Sequence, residues 1–344
     1  MRPIVLELHQ LHRSYRGGAA IARFRGTEPA EQDAPEDWVG STTTIFGDAR
    51  RGLSKLPDGR LLRDAIAADP EAFLGRAHAE RFGSDPALLV KLLHAGERLP
   101  VHCHPSRVFA RRHLDCPFGK TEAWVIVETE GERPLVHLGF RRDVDAATLA
   151  GWVERQETTT MLRALHTLEV RPGDAVLVPA GVPHAIGEGV FVVELQEPTD
   201  FSVLLERGGF VTGPADGHLG IGYDLALTCV DRSGFGEETI ARLRRRAAEA
   251  REVRPGVWNV LLTDADPYFR AERLLPRPSA SLEPAFSIVV VVDGAGRLET
   301  DHGGVVPLVR GDTVLVPHAS GAGRIDGPVE AIRCLPPLLD ITIG

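Results

Sequence analysis

A seven-residue segment that occurs twice constrains this chain more than any other feature. Gly173-Asp-Ala-Val-Leu-Val-Pro179 returns as Gly311-Asp-Thr-Val-Leu-Val-Pro317, 138 residues later and with one change. Gly-Asp makes a tight turn, the apolar residues make a strand, and Pro ends it. A chain that carries this unit at two distant points, with a helical segment between them, is expected to build two related β-barrels in tandem. The 36 Gly and 25 Pro, about 18% of 344 residues, agree. Their surplus over the usual share of roughly 12% favours turns and short strands over long helices.

The remaining pattern fills in that plan. Short apolar runs predict strands at Leu88–Leu93, Leu99–His104, Glu122–Glu128, Leu135–Phe140, His166–Val170, Ala175–Val178 and Val190–Gln196. A second set follows Pro255, at Val257–Leu262, Phe286–Val292, Thr313–Val316 and Glu330–Leu335. Strand-like pieces also occur at Ile4–Leu8 and Thr42–Phe46. Asp69-Pro70-Glu71 is a helix start, with a run that closes on Gly83, and another helix begins near Asp145. The clearest helix is Glu237–Val253, where Ile240, Leu243, Ala247 and Ala250 recur at three- and four-residue spacing. The expected organisation is a first barrel domain over residues 1–230, a linker helix over 231–255 and a second barrel over 256–344.

Several function classes are excluded or disfavoured. A formal charge of −9 argues against a general binder of nucleic acid or anionic membrane. No apolar run approaches the roughly 18–20 residues of a membrane span, and the first residues do not read as a signal peptide. The four cysteines, Cys103, Cys116, Cys229 and Cys334, are scattered and form no disulfide framework, which suits a reducing cytoplasm. Only three lysines occur, Lys55, Lys91 and Lys120, against 39 basic residues in all.

The chemistry concentrates between residues 94 and 196. His102-Cys-His104 places two imidazoles at i and i+2, and on a strand alternate side chains share a face. Both rings can therefore reach one ion while Cys103 points into the core. Glu122 opens a later strand, and His184 closes the run Pro179-Ala-Gly181-Val-Pro-His184. Three imidazoles and one carboxylate suit a borderline divalent metal such as Zn, Mn, Fe, Co or Ni. His113, His137, His166, His218, His302 and His318 have no such spacing and read as ordinary surface or packing residues. The second barrel carries no comparable set, since His318-Ala-Ser-Gly lacks the Pro-x-Gly-x-x-His continuation.

These motifs resemble those of the cupins. Gly96, five residues and His102-x-His104 fit the first half of the cupin metal motif. Gly173, five residues, Pro179-x-Gly181, two residues and His184 fit the second. More narrowly, the chain resembles the type I mannose-6-phosphate isomerases. The segments that carry this are Leu88-Leu-Val-Lys-Leu-Leu93, Gly119-Lys-Thr-Glu122, Val170-Arg-Pro-Gly-Asp174, Val178-Pro-Ala-Gly-Val-Pro-His-Ala-Ile-Gly187 and Glu194-Leu-Gln196. The resemblance implies a mainly β bicupin, two jelly-roll barrels in tandem, with zinc held at His102, His104, Glu122 and His184. Three positions depart from the family: His102 stands where it usually has Gln, Pro100 where it has Ser, and Leu204 where it has Arg.

The resemblance implies a metal-dependent aldose–ketose isomerase acting on mannose 6-phosphate and fructose 6-phosphate, or on an altered or non-phosphorylated sugar. Such a reaction needs a base beside the carbon acid and an electrophile for the enediolate. Glu194 is the candidate base, because Val190, Val192, Glu194 and Gln196 share one strand face. Lys120 is the candidate contact for an anionic group. The alternatives are an Fe or Mn cupin oxygenase, another metal cupin enzyme, or a sugar-binding cupin without catalysis. The expected partner is a small sugar or sugar phosphate.

Overall fold

A computed structural model describes residues 1–28, 33–210 and 217–339. Its centre is the strand Val190–Gln196, VFVVELQ, in which every residue is buried. Too apolar for a solvent-facing edge, it pairs antiparallel on both sides, with Leu89–His94 and with Glu122–Thr129. Around it the described residues form a seven-stranded sheet in the order Arg244–Arg245, Ala175–Val178, Glu122–Thr129, Val190–Gln196, Leu89–His94, Glu36–Val39 and Gln10–Leu11. A five-stranded sheet runs Val203–Leu204, His102–Cys103, His184–Ile186, Leu135–Phe140 and Leu165–Glu169. The two sheets make the first jelly-roll barrel.

The second barrel is built on a ten-stranded sheet whose spine is the long strand Ser287–Thr300 beside Val329–Leu335 and Thr313–Val316. Its interior is aliphatic, with Val289, Val291, Leu298, Val314 and Val316 buried together. The repeated heptapeptides occupy matching places. Ala175–Val178 pairs with the Glu122 strand, and Thr313–Val316 pairs with the Ser287 strand. In each copy the Asp side chain closes the turn by accepting from a backbone N–H, Arg171 for Asp174 and Val309 for Asp312. The fold is thus mainly β, with the two barrels expected from the repeat.

The barrels are joined by more than the segment between them. One apolar cluster runs from Leu92 and Val192 of the first through Phe269 to Ile288 and Val290 of the second. The first strand of the chain, Ile4–Val5, pairs with Leu315 and Val314 in the second barrel. Arg25 reinforces this seam by donating to Gly311 O at 2.7 Å and Thr313 Oγ1 at 2.8 Å. No described helix is long and apolar enough to cross a membrane.

Three local expectations are corrected. The helix expected over Glu237–Val253 ends at Leu243. Arg244–Arg245 instead adds an edge strand to Ala175–Val176, with Arg244 on Asp174 at 3.1 Å and Arg245 donating to Asn259 O. Ile240 and Leu243 are buried, but Ala247 and Ala250 offer too little apolar surface to hold a further two turns of helix. Sheet pairing wins there, and Arg251–Arg254 continues as strand. The helix expected from Pro70 to Gly83 breaks at Gly75, where φ is +85° and a Cβ would meet the His318 ring at 2.6 Å. Thr42–Phe46 is a loop, because Ser41 and Ser54 hydroxyls satisfy backbone groups that a sheet would otherwise have to pair.

Candidate metal centre

Strand register assembles the site from two facing rows. On the five-stranded sheet, Leu204, His102, His184 and Leu138 stand side by side on four adjacent strands. On the seven-stranded sheet, Trp38, Lys91, Glu194 and Trp124 form one cross-strand row, and Gln196 and Glu122 form the next. Cys103, between the two histidines, points the other way into the core, with its sulfur 3.7 Å from that of Cys229.

Three imidazoles meet at one point. The ligand-capable atoms of His102, His104 and His184 lie within 4.8 Å of one another, and all three residues are buried. Each ring is oriented from behind by a carbonyl. His102 Nδ1 donates to Pro100 O at 2.8 Å, His104 Nδ1 to Phe201 O at 2.7 Å and His184 Nδ1 to Val182 O at 2.8 Å. A carbonyl only accepts, so the proton sits on Nδ1 and the Nε2 lone pair is left to face the cluster. Burial and the neighbouring imidazoles hold His102 well below the usual histidine range. Burial, with Lys120 adjacent, lowers His104 to about 3. The His102 and His104 rings are therefore neutral at physiological pH.

Glu122 adds a carboxylate to this set. Its Oε2 lies 3.0 Å from His104 Nε2, and its Oε1 lies 3.2 Å from His184 Nε2. Two acceptors facing one another without a proton repel, and His184 Nε2 is a buried nitrogen with no hydrogen-bond partner. Burial alone would raise the carboxyl of Glu122, but Lys120 and the imidazoles hold it well below the usual range. Lys120 Nζ lies 2.7 Å from Glu122 Oε2 and 2.9 Å from His104 Nε2, so a cation already occupies part of this donor set. The chemistry fits a divalent ion: neutral Nε2 donors with Nδ1 anchored, and one ionised carboxylate.

The segment before Glu122 is pinned by groups that sequence reasoning missed. Buried Glu197 accepts from Thr121 N at 2.8 Å, from Gly119 N and from Arg107. Gly119 is required by close approach, since a Cβ there would meet Pro105 O at 2.6 Å and Arg107 N at 2.7 Å. On the other sheet, Glu206 accepts from Val101 N at 3.0 Å and pairs with both Arg98 terminal nitrogens. The strand carrying His102 is fixed at its entry in this way.

A cavity of about 490 Å³ opens beside the cluster and is lined by His102, Lys120, Glu122 and Glu194 among others. Burial first, and then the charge of Glu122, raises the Glu194 carboxyl to about 7 against the opposing pull of Lys91. Its Oε2 makes only a 3.5 Å ion pair to Lys91 and no hydrogen bond. Lys91 also lies 3.3 Å from Glu36 and 4.8 Å above the Trp38 ring. No motif assigns Lys91 a role; the available signal is a lone charge in the middle of an apolar run that proves wholly buried. Arg13, Glu36 and Asp200 also line the cavity, and nothing local in the sequence marks them.

Two jelly-roll barrels, the first enclosing three convergent imidazoles and a carboxylate, define a bicupin with a candidate metal centre. Its relatives narrow the class. The chain is 26% identical over 322 residues to the mannose-6-phosphate isomerase ManA of Bacillus subtilis (strain 168), covering 92% of this chain and 93% of that protein. Among solved structures, the mannose 6-phosphate isomerase from Bacillus subtilis matches with a TM-score of 0.75 at 21% identity, over 97% of this chain and 99% of that one. A mannose 6-phosphate isomerase bound with zinc and yttrium matches at 0.72 and 16% identity, over 98% of this chain and all of that one. No family profile matches the chain. These likenesses bear out the resemblance to the type I mannose-6-phosphate isomerases read from the motifs.

Proposed function

We propose that this chain is a metal-dependent aldose–ketose isomerase of the mannose-6-phosphate and fructose-6-phosphate type, with zinc as the metal. The observation that carries the reading is the shared cavity. His102, one of three convergent anchored imidazoles, lines one side with Glu122, and a buried carboxylate held near neutrality, Glu194, lines the same space. The names of the curated relatives support the reaction class. His102, His104, Glu122 and His184 would hold the ion. A bound divalent cation would supply polarisation of the sugar's carbonyl and adjacent hydroxyl oxygens.

The protein's own groups do the rest. Glu194 Oε2 takes the proton from C2 of the aldose and returns it to C1, so one group serves as base and then acid. A carboxyl poised near the working pH suits both roles. Lys120 Nζ donates to the sugar oxygen on which negative charge develops and relays the O2 hydroxyl proton to O1, so the ketose forms with no net gain or loss of protons. Trp124 Nε1, donating to Glu122 Oε1 at 3.1 Å, keeps that carboxylate turned toward the imidazoles. The division into residues 1–230, 231–255 and 256–344 belongs with this reading: the first unit carries the chemistry and the last braces it. A cytoplasmic setting suits the free cysteines.

The test has two parts. Metal analysis of the purified protein should find about one zinc per chain. A coupled assay should detect interconversion of mannose 6-phosphate with fructose 6-phosphate, or of mannose with fructose. If neither pair interconverts with any added divalent metal, the isomerase reading fails.

A further inference from the structure

Within the isomerase reading, on which this step rests, we infer that Phe46 is the platform on which the carbon face of the sugar lies. Among the described residues it is the only Phe, Trp or Tyr that is exposed, at 46%. It also lines the cavity that His102, Glu122 and Glu194 share. The other large apolar side chains left exposed, Met1, Val5, Val108, Val253, Val305 and Val309, lie outside that cavity. The one aromatic ring that the fold leaves in water is therefore the one at the site. Such a ring forgoes the gain of burial until a ligand covers it, and ligand cavities are lined in this way.

The ring is held ready. Its backbone N–H donates to Asp200 Oδ2 at 3.2 Å, and both terminal nitrogens of Arg13 fix that carboxylate at 3.0 Å. Ile45 N donates to Arg51 O at 2.8 Å, and Asp48 Oδ1 accepts from the backbone N–H groups of Arg50 and Arg51. These bonds close the loop that carries Phe46. Phe201 meets the ring nearly at right angles, at 77° with ring centres 5.6 Å apart. A perpendicular contact covers one face or one edge of the Phe46 ring, so at least one face stays open. Little freedom is then lost when a ligand arrives, because the surroundings already fix the ring.

A sugar suits such a surface. Its C–H groups, each polarised by a neighbouring oxygen, are drawn to the negative face of an aromatic ring. Its hydroxyls are left free for the polar wall, where Ser14 and Ser202 stand. The stacking is indifferent to a charge at the far end of the chain, so it serves a sugar and its phosphate ester alike. No reacting bond lies on Phe46, so the ring holds substrate and transition state equally. Uniform binding of this kind lowers KM and leaves kcat alone.

Zinc-loaded parent, Phe46→Ala and Phe46→Tyr should be assayed on mannose and on mannose 6-phosphate. Binding of the non-isomerising alditols mannitol and mannitol 1-phosphate should be measured in parallel by calorimetry. For the sugar and the alditol that the parent handles better, Phe46→Ala should raise KM and Kd at least fivefold. Its kcat and zinc content should stay within twofold, and Phe46→Tyr should stay within twofold of the parent throughout. A merely structural Phe46 would lower zinc content or kcat instead. A smaller rise in KM or Kd, a larger loss of kcat or zinc, or a Tyr variant beyond twofold overturns the inference and leaves the isomerase reading standing. Should Phe46→Ala fail to fold, Phe46→Leu is held to the same criteria, since it keeps apolar bulk against Phe201 without a flat face. Where the parent turns over but binds neither alditol, KM decides. If the parent turns over neither sugar, the isomerase reading fails and alditol binding decides the inference alone. A fivefold loss in the alanine variant upholds it; a smaller loss, or no binding by the parent, overturns it.

Discussion

Replacing Glu194 with Gln should disable the enzyme and stabilise the fold. The carboxyl titrates near 7 in the folded protein against an ordinary value of 4.5. A pKa raised on folding means that the folded state binds the proton more tightly than the unfolded chain. The associated stability is fully present below pH 4.5 and is lost as the pH rises through 7. At pH 8 the ionised group therefore costs the fold up to about 3 kcal/mol, from about 2.5 pH units at 1.36 kcal/mol each. Gln is neutral at every pH, so the variant escapes that cost. The Lys91 pairing it forfeits is already included in the net shift, because Lys91 acts on the same carboxyl. Thermal or urea unfolding of chelator-stripped protein should show the variant more stable than the parent at pH 8, with the advantage gone by pH 4.5. With metal bound, the charge of Glu122 is offset and the advantage shrinks to the part that burial, the larger cause, supplies. Isomerase kcat should fall by about 10²–10⁴-fold with metal content unchanged. A variant that is less stable than the parent at pH 8, or that keeps its turnover, would refute both the environment and the role assigned to Glu194.

Three other substitutions probe separate parts of the argument. Asp85→Asn should raise the unfolding temperature at pH 7.5 but not at pH 3.5, because burial lifts the Asp85 carboxyl to about 6 and its ionisation costs at most about 3 kcal/mol. Asn can still accept the 2.7 Å bond from Ala87 N, so equal effects at both pH values would contradict the burial argument. His102→Gln removes the Nδ1 anchor on Pro100 O while leaving a neutral ligand, and chelator competition should show one metal bound about 10–100-fold more weakly. Gly119→Ala drives a Cβ into backbone on two sides and should cost about 1–3 kcal/mol in denaturant melts, with weaker metal binding because Lys120 and Glu122 follow directly. An alanine variant with parental stability and metal affinity would show that this loop yields.

What the sequence made legible was whatever a single segment encodes. The spacing of His102 and His104 on one strand, the Pro-x-Gly-x-x-His run and the repeated heptapeptide each carry their meaning within a few residues. The row Trp38, Lys91, Glu194 and Trp124 does not, because it exists only once four strands have paired in one register. The Arg13–Asp200 pair joins residues 187 positions apart and leaves no local trace. Glu237–Val253 misled for the opposite reason: its helical period is real, but a free sheet edge at Ala175–Val176 competes for Arg244–Arg245. Local periodicity is a weak guide where tertiary hydrogen bonds are on offer.

The pairing of Ile4–Val5 with Val314 and Leu315 has a consequence for how the molecule is made. Synthesis is vectorial, and this strand leaves the ribosome about 310 residues before its partner does. The first barrel's strands are all available by then, yet Ile4–Val5 must stay unpaired until the second barrel is nearly complete. Closure of so distant a contact is slow and comes late. A strand translated early is thus among the last to be fastened, and a nascent chain stalled before Thr313 would display Ile4–Val5 unpaired.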